Sequence, residues 1–370
     1  MIRQLNRLLR PVPALGPGVI AIATYAHPSG ETFEVREAAE SGYEGVACVD
    51  DAARAAIVYA GIWRRHGSAW ARETAEGLLA FTRAMQVEGG AFVNFIATWN
   101  GERQLDTTTS YPGGDPWQAR AMHALAYGVG VFDRPAYVDA FEAGLPALSA
   151  PTPHLDVRAL RAIAVFEYWQ ATADSSAGAL ALAWAEELAG TAVEGILPDR
   201  AGSDEVHLWG HLQEAALARI GRAFGRNDLI QVAAQSADEL LVPVVLRAFG
   251  GARSLAFDVS SVIAGLEAVA AATSDHRYIE HAAAARAWFD GRNAAGRSVY
   301  DRTRGLVADG IDGDRVSVNS GAESNIEGAL AFLDVLPWDS PPLTSSRWPR
   351  IETRMARMPT SGDAAVTALA

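Results

Sequence analysis

Ala-rich segments of 15–20 residues recur along this chain from about residue 50 to 336, each with apolar side chains at i, i+3, i+4 and i+7. Short Gly/Pro/Asp connections separate them, and β-rich runs are scarce. The spacing predicts helices over 50–66, 69–87, 115–132, 135–149, 154–173, 176–191, 205–225, 227–246, 258–274, 275–294 and 321–336. Several starts carry an acidic cap: Asp50, Asp115, Asp156, Asp204 and Asp258.

The segments alternate in character. DPWQARAMHALAYGVGVF and DVSSVIAGLEAVAAATS are small and apolar nearly all round, as helices enclosed by others must be. Their partners, such as WARETAEGLLAFTRAM and NDLIQVAAQSADELL, carry more charge and suit an outer layer. Six inner helices start near 50, 115, 154, 205, 258 and 321. The sixth outer helix comes from residues 2–11 or from the C-terminal stretch. Six such hairpins make an all-α (α/α)6 toroid over 1–340, a single domain although 370 residues would on average make two or three. The rival is an open solenoid, but the hairpin starts are unevenly spaced, from about 40 to 65 residues. The insertion 89–114, with GGAFVNFIATWNGERQ, is expected to form a rim loop containing a small β-hairpin. Residues 341–370, rich in Pro, Ser, Thr and Arg, read as a loosely ordered tail.

Composition narrows the partners. With 31 basic and 44 acidic residues the chain carries a net charge of −13, and its longest basic tract is Arg64-Arg65-His66. Nucleic acid and anionic membrane surfaces are poor partners for such a chain. Cys48 is the only cysteine, so no internal disulfide or thiolate metal cluster can form. No run of about 18 apolar residues suggests a membrane span, and prolines interrupt the N-terminus where a signal's apolar core would lie. A soluble, cytoplasmic protein is expected.

In a six-hairpin ring the N-termini of all inner helices open on one face, where free N–H groups and the helix dipoles favour carboxylates. The sequence assigns Asp50, Asp51, Asp115, His154, Asp156, Glu205, His207, Asp258 and Glu323 to that rim. Trp99, Tyr111, Trp117 and Trp209 fall on or near it. Carboxylates beside aromatic platforms suit a neutral, hydroxyl-rich ligand: rings stack on sugar faces, while carboxylates accept hydroxyl hydrogen bonds or act as acid and base. Arg54, three residues after Asp51, is placed to pair with it. Pro116 makes Asp115 a helix cap whatever else it does, and Glu327, a turn deeper than Glu323, is expected to be buried. Cys48 reads as a small core residue. His207 and His211 are spaced for a metal, yet no HExxH signature or third ligand accompanies them, so no metal and no cofactor is expected.

Several stretches resemble the six-hairpin-glycosidase-like domains that occur alone or fused behind bacterial glycosyltransferases. VDDAARAAIVYA is similar to their TDDNARAL motif, DPWQARAMHAL to the acidic residue and helix that follow, and Trp288-Phe289-Asp290-Gly291-Arg292-Asn293 to their WFLGRN stretch. Tyr300-Asp301, Asp309-Gly310 and Gly321-Ala322-Glu323-Ser324 resemble their YD…DG…GAES ending. The family's asparagine after the aspartate pair is Ala52 here, which removes one polar contact. The resemblance implies an (α/α)6 fold and carbohydrate processing. The reading that follows is a glycoside hydrolase acting on an oligosaccharide or glycoconjugate. Asp51 with Asp115 or Glu323 would be the acid/base pair, and Asp50, Arg54, Trp99, Trp117, Glu205, His207 and Trp209 would bind substrate. Two rivals stand beside it: a non-catalytic sugar-binding partner of a glycosyltransferase, and an epimerase- or lyase-like enzyme using His207 or His154 as base. The acidic rim argues against uronate substrates.

Overall fold

The computed structural model describes residues 1–29, 32–36, 45–251 and 253–335; the expected tail over 341–370 lies outside them. The helices are α1 (Ile2–Leu8), α2 (Val49–His66), α3 (Ala69–Ala84), α4 (Asp115–Phe132), α5 (Pro135–Leu148), α6 (Leu155–Thr172) and α7 (Ser175–Ala189). Then come α8 (Gln213–Phe224), α9 (Asn227–Ser236), α10 (Val242–Leu246), α11 (Ala256–Thr273), α12 (Arg277–Arg286) and α13 (Ala322–Phe332).

The division into inner and outer helices follows side-chain character. In α2 every residue from Ala52 to Ile62 is buried: nine are Ala, Gly, Val or Ile, and the other two, Arg54 and Tyr59, have polar ends held by carboxylates and by Asn6. Its partner α3 buries one stripe (Ala71, Thr74, Ala75, Leu78, Leu79, Thr82) and leaves its charges to solvent. Five hairpins turn in the same way. After α2, α4, α6, α8 and α11 the chain takes one left-handed residue, at Gly67, Asp133, Ala173, Gly225 and Ser274, with φ between 48° and 67°. That single reversal returns the chain antiparallel within three or four residues. Ala173 and Ser274 accept a conformation that disfavours a side chain, by about 1 kcal/mol each, to keep the turn tight.

The inner helices pack in sequence, α2 on α4, α4 on α6, α6 on α8, α8 on α11, α11 on α13, and α13 on α2. That last contact closes the ring and rules out the open solenoid. The sixth outer helix is N-terminal: α1 packs on α13, tied by Gln4 Nε2 to the Ser320 carbonyl at 2.9 Å and by the terminal amine to the Gly305 carbonyl. α9 and α10 form one outer rod joined by a π turn over 237–241, which absorbs Pro243's missing donor. This rod and α11 are long and apolar enough to cross a membrane by length and composition alone, with mean hydropathy 1.4 each. α11 packs against α8, α12 and α13, which bury most of its apolar residues.

Short strands decorate the rim from which the inner helices start. They are β1 (Leu9–Pro11), β2 (Ile20–Ile22), β3 (Tyr25–Ser29), β4 (Thr32–Arg36), β5 (Ala47–Cys48), β6 (Phe95–Ile96) and β7 (Arg253–Ser254). β8 (Tyr300–Asp301), β9 (Leu306–Val307), β10 (Ile311–Asp312) and β11 (Arg315–Val316) complete the set. β5 leads into α2 and β7 precedes α11, so the strands fix where those helices begin. In the 89–114 insertion, β6 pairs with β5 on one side and within the loop on the other, where the chain folds back as a small hairpin: Ile96 lies opposite Arg103, Ala97 N–H donates to the Glu102 carbonyl at 2.7 Å and Gln104 N–H to the Phe95 carbonyl at 2.9 Å.

Two helix boundaries differ widely from the sequence expectation: α12 ends at Arg286 rather than near 294, and an inner helix starts late. The fourth inner helix begins at Gln213, not near 205. Asp199 accepts from the His207 N–H, the Gln213 side chain and the His211 ring, and with Gly210 at φ 74° it holds 205–212 as a loop. Asp50, Asp115 and Asp156 are first-turn residues rather than side-chain caps, whereas Asp258 accepts from the Leu255 N–H at 2.7 Å and Asp204 lies in the loop before α8. Asp115 is the first helical residue after Gly114, and its carboxylate turns to Arg161 instead of capping.

Candidate functional site

A cleft of about 1110 Å³ opens on the face where the inner helices start. Its floor is organised by Arg54. On α2 the i, i+3 spacing sets Arg54 beside Asp51, and on α13 the i, i+4 spacing sets Glu323 and Glu327 on one face toward it. Arg54 Nη2 lies 3.0 Å from Asp51 Oδ1 and 3.2 Å from Glu323 Oε2, while Nη1 lies 2.5 Å from Glu327 Oε1. Its Nε donates to the Asp50 carbonyl, and its guanidinium stacks on Phe257 at 4.9 Å. The two carboxylate oxygens sharing Nη2 are therefore no farther apart than the sum of those two distances, 6.2 Å. Glu327 is buried, as expected, and its second oxygen accepts from Ser260.

The carboxylates differ in exposure. Asp51 is 3% exposed, and burial pushes its pKa up to about 7; Arg54 opposes that rise, while Glu323 and Asp50 add to it. Asp50 is a quarter exposed. Its N–H donates to Asn94 Oδ1 at 3.2 Å, and Oδ2 accepts from Asn94 Nδ2 at 3.4 Å. Burial raises the Asp50 pKa, against the pull of Arg120 and Arg54. Glu323 has a side chain 47% exposed into the cleft. Asp309, also on the cleft, accepts from the Gly321 N–H at the start of α13 at 2.7 Å; burial raises its pKa, against that hydrogen bond and one from Ser324. Cys48 is buried with its thiol 3.3 Å from Asp51 Oδ2, and burial together with the neighbouring carboxylates pushes the thiol well up.

Arg120 is the least satisfied cation on the floor. It stacks on Phe257 at 5.1 Å, and its nearest carboxylate oxygen, Asp50 Oδ1, is 3.7 Å away. Trp209 stands 49% exposed on the cleft wall with His207 stacked against it, centroids 3.7 Å apart and planes within 5°.

Of the residues expected at the site, Asp50, Asp51, Arg54, Trp117, Trp209 and Glu323 line the cleft, and His207 backs Trp209. Three do not line it. Asp115 pairs with the buried Arg161 at 2.7 Å, which draws its carboxylate toward α6 and away from the floor. Trp99 sits on the 97–102 turn, whose Gly101 packs near Leu15. Glu205 is exposed on the loop, its carbonyl accepting from the Asp199 N–H. Trp117 is only 5% exposed, its Nε1 donating to the Phe92 and Tyr111 carbonyls at 3.0 Å.

Arg120, Asn94, Asp309, Arg253 and Arg315 also line the cleft, and sequence reasoning assigned them no role. Arg120 had a signal, five residues into the DPWQAR helix start; Asn94 and the two strand arginines had none. His211 is fully buried, its ring nitrogens 2.8 Å from Asp199 and 3.0 Å from Glu214. Burial alone would depress its pKa, but the two carboxylates outweigh burial and push it up to about 10. It is a charged structural tie between the loop and α8.

No protein-family profile matches the sequence, and no curated protein matches it. Solved structures do. A D-mannose isomerase superposes with a TM-score of 0.65 over 90% of this chain and 94% of its own, at 12% identity. An inactive variant of the α-1,6-mannanase of Salegentibacter sp., with two adjacent aspartates replaced and α-1,6-mannotriose bound, superposes with a TM-score of 0.60 over 90% and 95%, at 12% identity. The cellobiose 2-epimerase of Bacillus thermoamylovorans gives 0.59 over 85% and 92%, at 10% identity. The chain is a six-hairpin (α/α)6 toroid. At these identities the likeness fixes the six-hairpin architecture, and the chemistry has to be argued from the cleft.

Proposed function

We propose that the chain is a carbohydrate-active enzyme, a glycoside hydrolase whose reacting groups stand around Arg54. The observation that carries the reading is a buried carboxyl, Asp51, able to hold a proton near neutral pH, beside a second, solvent-facing carboxylate, Glu323, on the same guanidinium. Glycosidic cleavage needs that asymmetry, one carboxyl to protonate the departing oxygen and one carboxylate to attack or to activate water. Asp51 is the general acid. Glu323 is the carboxylate partner in place of Asp115, which the cleft does not contain. Arg54 holds both in register and limits how far apart they can move. Asp50 and Asn94 accept and donate to sugar hydroxyls at the floor, Arg120 offers donors with no acceptor closer than Asp50 at 3.7 Å among the described residues, and Trp209 gives a stacking face. The mannanase made inactive through two adjacent aspartates is a parallel for Asp50-Asp51, an adjacent pair at the start of an inner helix.

An isomerase or epimerase on this fold would abstract a proton from carbon, a task most often given to a neutral histidine. Among the described residues no histidine lines the cleft, and His211 is charged and pinned. His154 is exposed at the start of α6, off the cleft. That supports hydrolysis over the rival.

The test is turnover on a panel of oligosaccharides and aryl glycosides, read as new reducing ends. Asp51→Asn and Glu323→Gln should each lower kcat by about 100-fold or more. Unchanged turnover in either variant removes that residue from the mechanism. Glycan binding without turnover by the unaltered protein would move the reading to a sugar-binding module.

A further inference from the structure

The cleft has a second chemical character at its mouth. Strands β7, β10 and β11 form an antiparallel sheet in which Asp312 lies opposite Arg253 on one side and Arg315 on the other. Opposed residues of an antiparallel ladder share a face, so the three side chains stand in a row. All three line the cleft and are exposed. The adjoining positions Ser254 and Ile311 are buried, with the Trp288 indole donating to the Ser254 hydroxyl, and this anchors the sheet to the ring.

Arg54 is saturated by three carboxylates, whereas Arg253 and Arg315 make no ion pair or side-chain hydrogen bond among the described residues. Asp312 between them leaves the row with one net positive charge. Guanidinium groups donate and never accept, and their planar fork matches the two oxygens of a carboxylate, sulfate or phosphate. A chain with 13 excess negative charges repels an anion at long range, so an anionic ligand needs local cations such as these at the entrance.

We propose that the cleft's ligand is a glycan carrying an oxyanion (carboxylate, sulfate or phosphate), and that Arg253 and Arg315 receive that group at the mouth while the neutral ring to be processed sits at the Asp51–Glu323 floor. This rests on the sugar reading of the cleft and reverses the expectation, drawn from the acidic rim, that charged sugars are excluded. The floor carboxylates and the strand arginines line the same cleft, so one ligand can meet both.

The experiment measures affinity by calorimetry for matched oligosaccharides in neutral, uronate, sulfated and phosphorylated forms. It uses the full chain and an Arg253→Gln/Arg315→Gln double variant, both of whose altered positions are exposed. At least one anionic form should bind about tenfold tighter than its neutral parent, and the three anionic arms identify which oxyanion is meant. That preference should fall about fivefold or more in the double variant and with rising salt, while affinity for the neutral parent stays within about twofold. Neutral parents binding as well as every anionic form, or a preference that survives in the double variant, overturns the inference and leaves the sugar reading standing. Failure of every sugar in both classes to bind overturns both.

Discussion

Asp51 gives a sharp thermodynamic test, because its carboxyl should be a burden on the fold as well as a tool. Its pKa is about 7 in the folded chain and 3.8 as an ordinary aspartate, so folding disfavours its ionised form. The sign follows directly: below the unfolded value both states are protonated and the residue costs nothing. As pH rises the unfolded chain releases the proton first and gains stability relative to the folded one. At about 1.36 kcal/mol per unit, the cost climbs from roughly 1 kcal/mol at pH 4.5 to roughly 4 kcal/mol above pH 7. Asp51→Asn keeps the shape and abolishes the titration. Relative to wild type it should therefore gain about 3 kcal/mol between pH 4.5 and pH 8 while losing turnover. Urea unfolding at both pH values, with equal m-values required for the comparison, reads the difference. A variant that is no more stable relative to wild type at pH 8 than at pH 4.5 would refute the reasoning, since Asp51 would then not be held above its usual range.

Three further outcomes follow from the contacts. Arg54→Met leaves three carboxylates without their cation and should cost about 3–5 kcal/mol, with Arg54→Lys intermediate; thermal unfolding should show the deficit shrinking as pH falls and the stranded groups take up protons, Asp51 first because its carboxyl is already held high. Asp115→Asn should leave turnover within about twofold of wild type and cost about 1–2 kcal/mol of stability through Arg161, whereas a large loss of kcat without loss of stability would return Asp115 to the mechanism. Trp209→Ala should weaken sugar binding about tenfold, and quenching of tryptophan fluorescence by ligand should diminish with it.

The toroid was legible in the sequence because helical periodicity and the alternation of all-apolar with amphipathic segments are local properties. Of the inner helices, only the fourth started well away from its expected position. It failed there because Asp199, 8 to 14 residues earlier, bonds to His207, His211 and Gln213 and holds the segment as a loop, which helical periodicity does not record. The same limit explains the cleft. Asp51, Arg54 and Glu323 could be named because each lies in the first turns of an inner helix, and such helices in a closed ring open on one face.

What the chain's own order of residues determined was the ring, the hairpin turns and the set of acidic groups available at one rim. Tertiary structure alone decided which of them meet: Arg161 on α6 draws Asp115 aside, and Glu323 and Glu327 on α13 converge on Arg54 some 270 residues away in the chain. It also turned Arg253 and Arg315 toward the cleft through strand pairing. Periodicity specifies which way a side chain faces along its own element, but pairing of charges is set by distances between elements, and those exist only once the ring has closed.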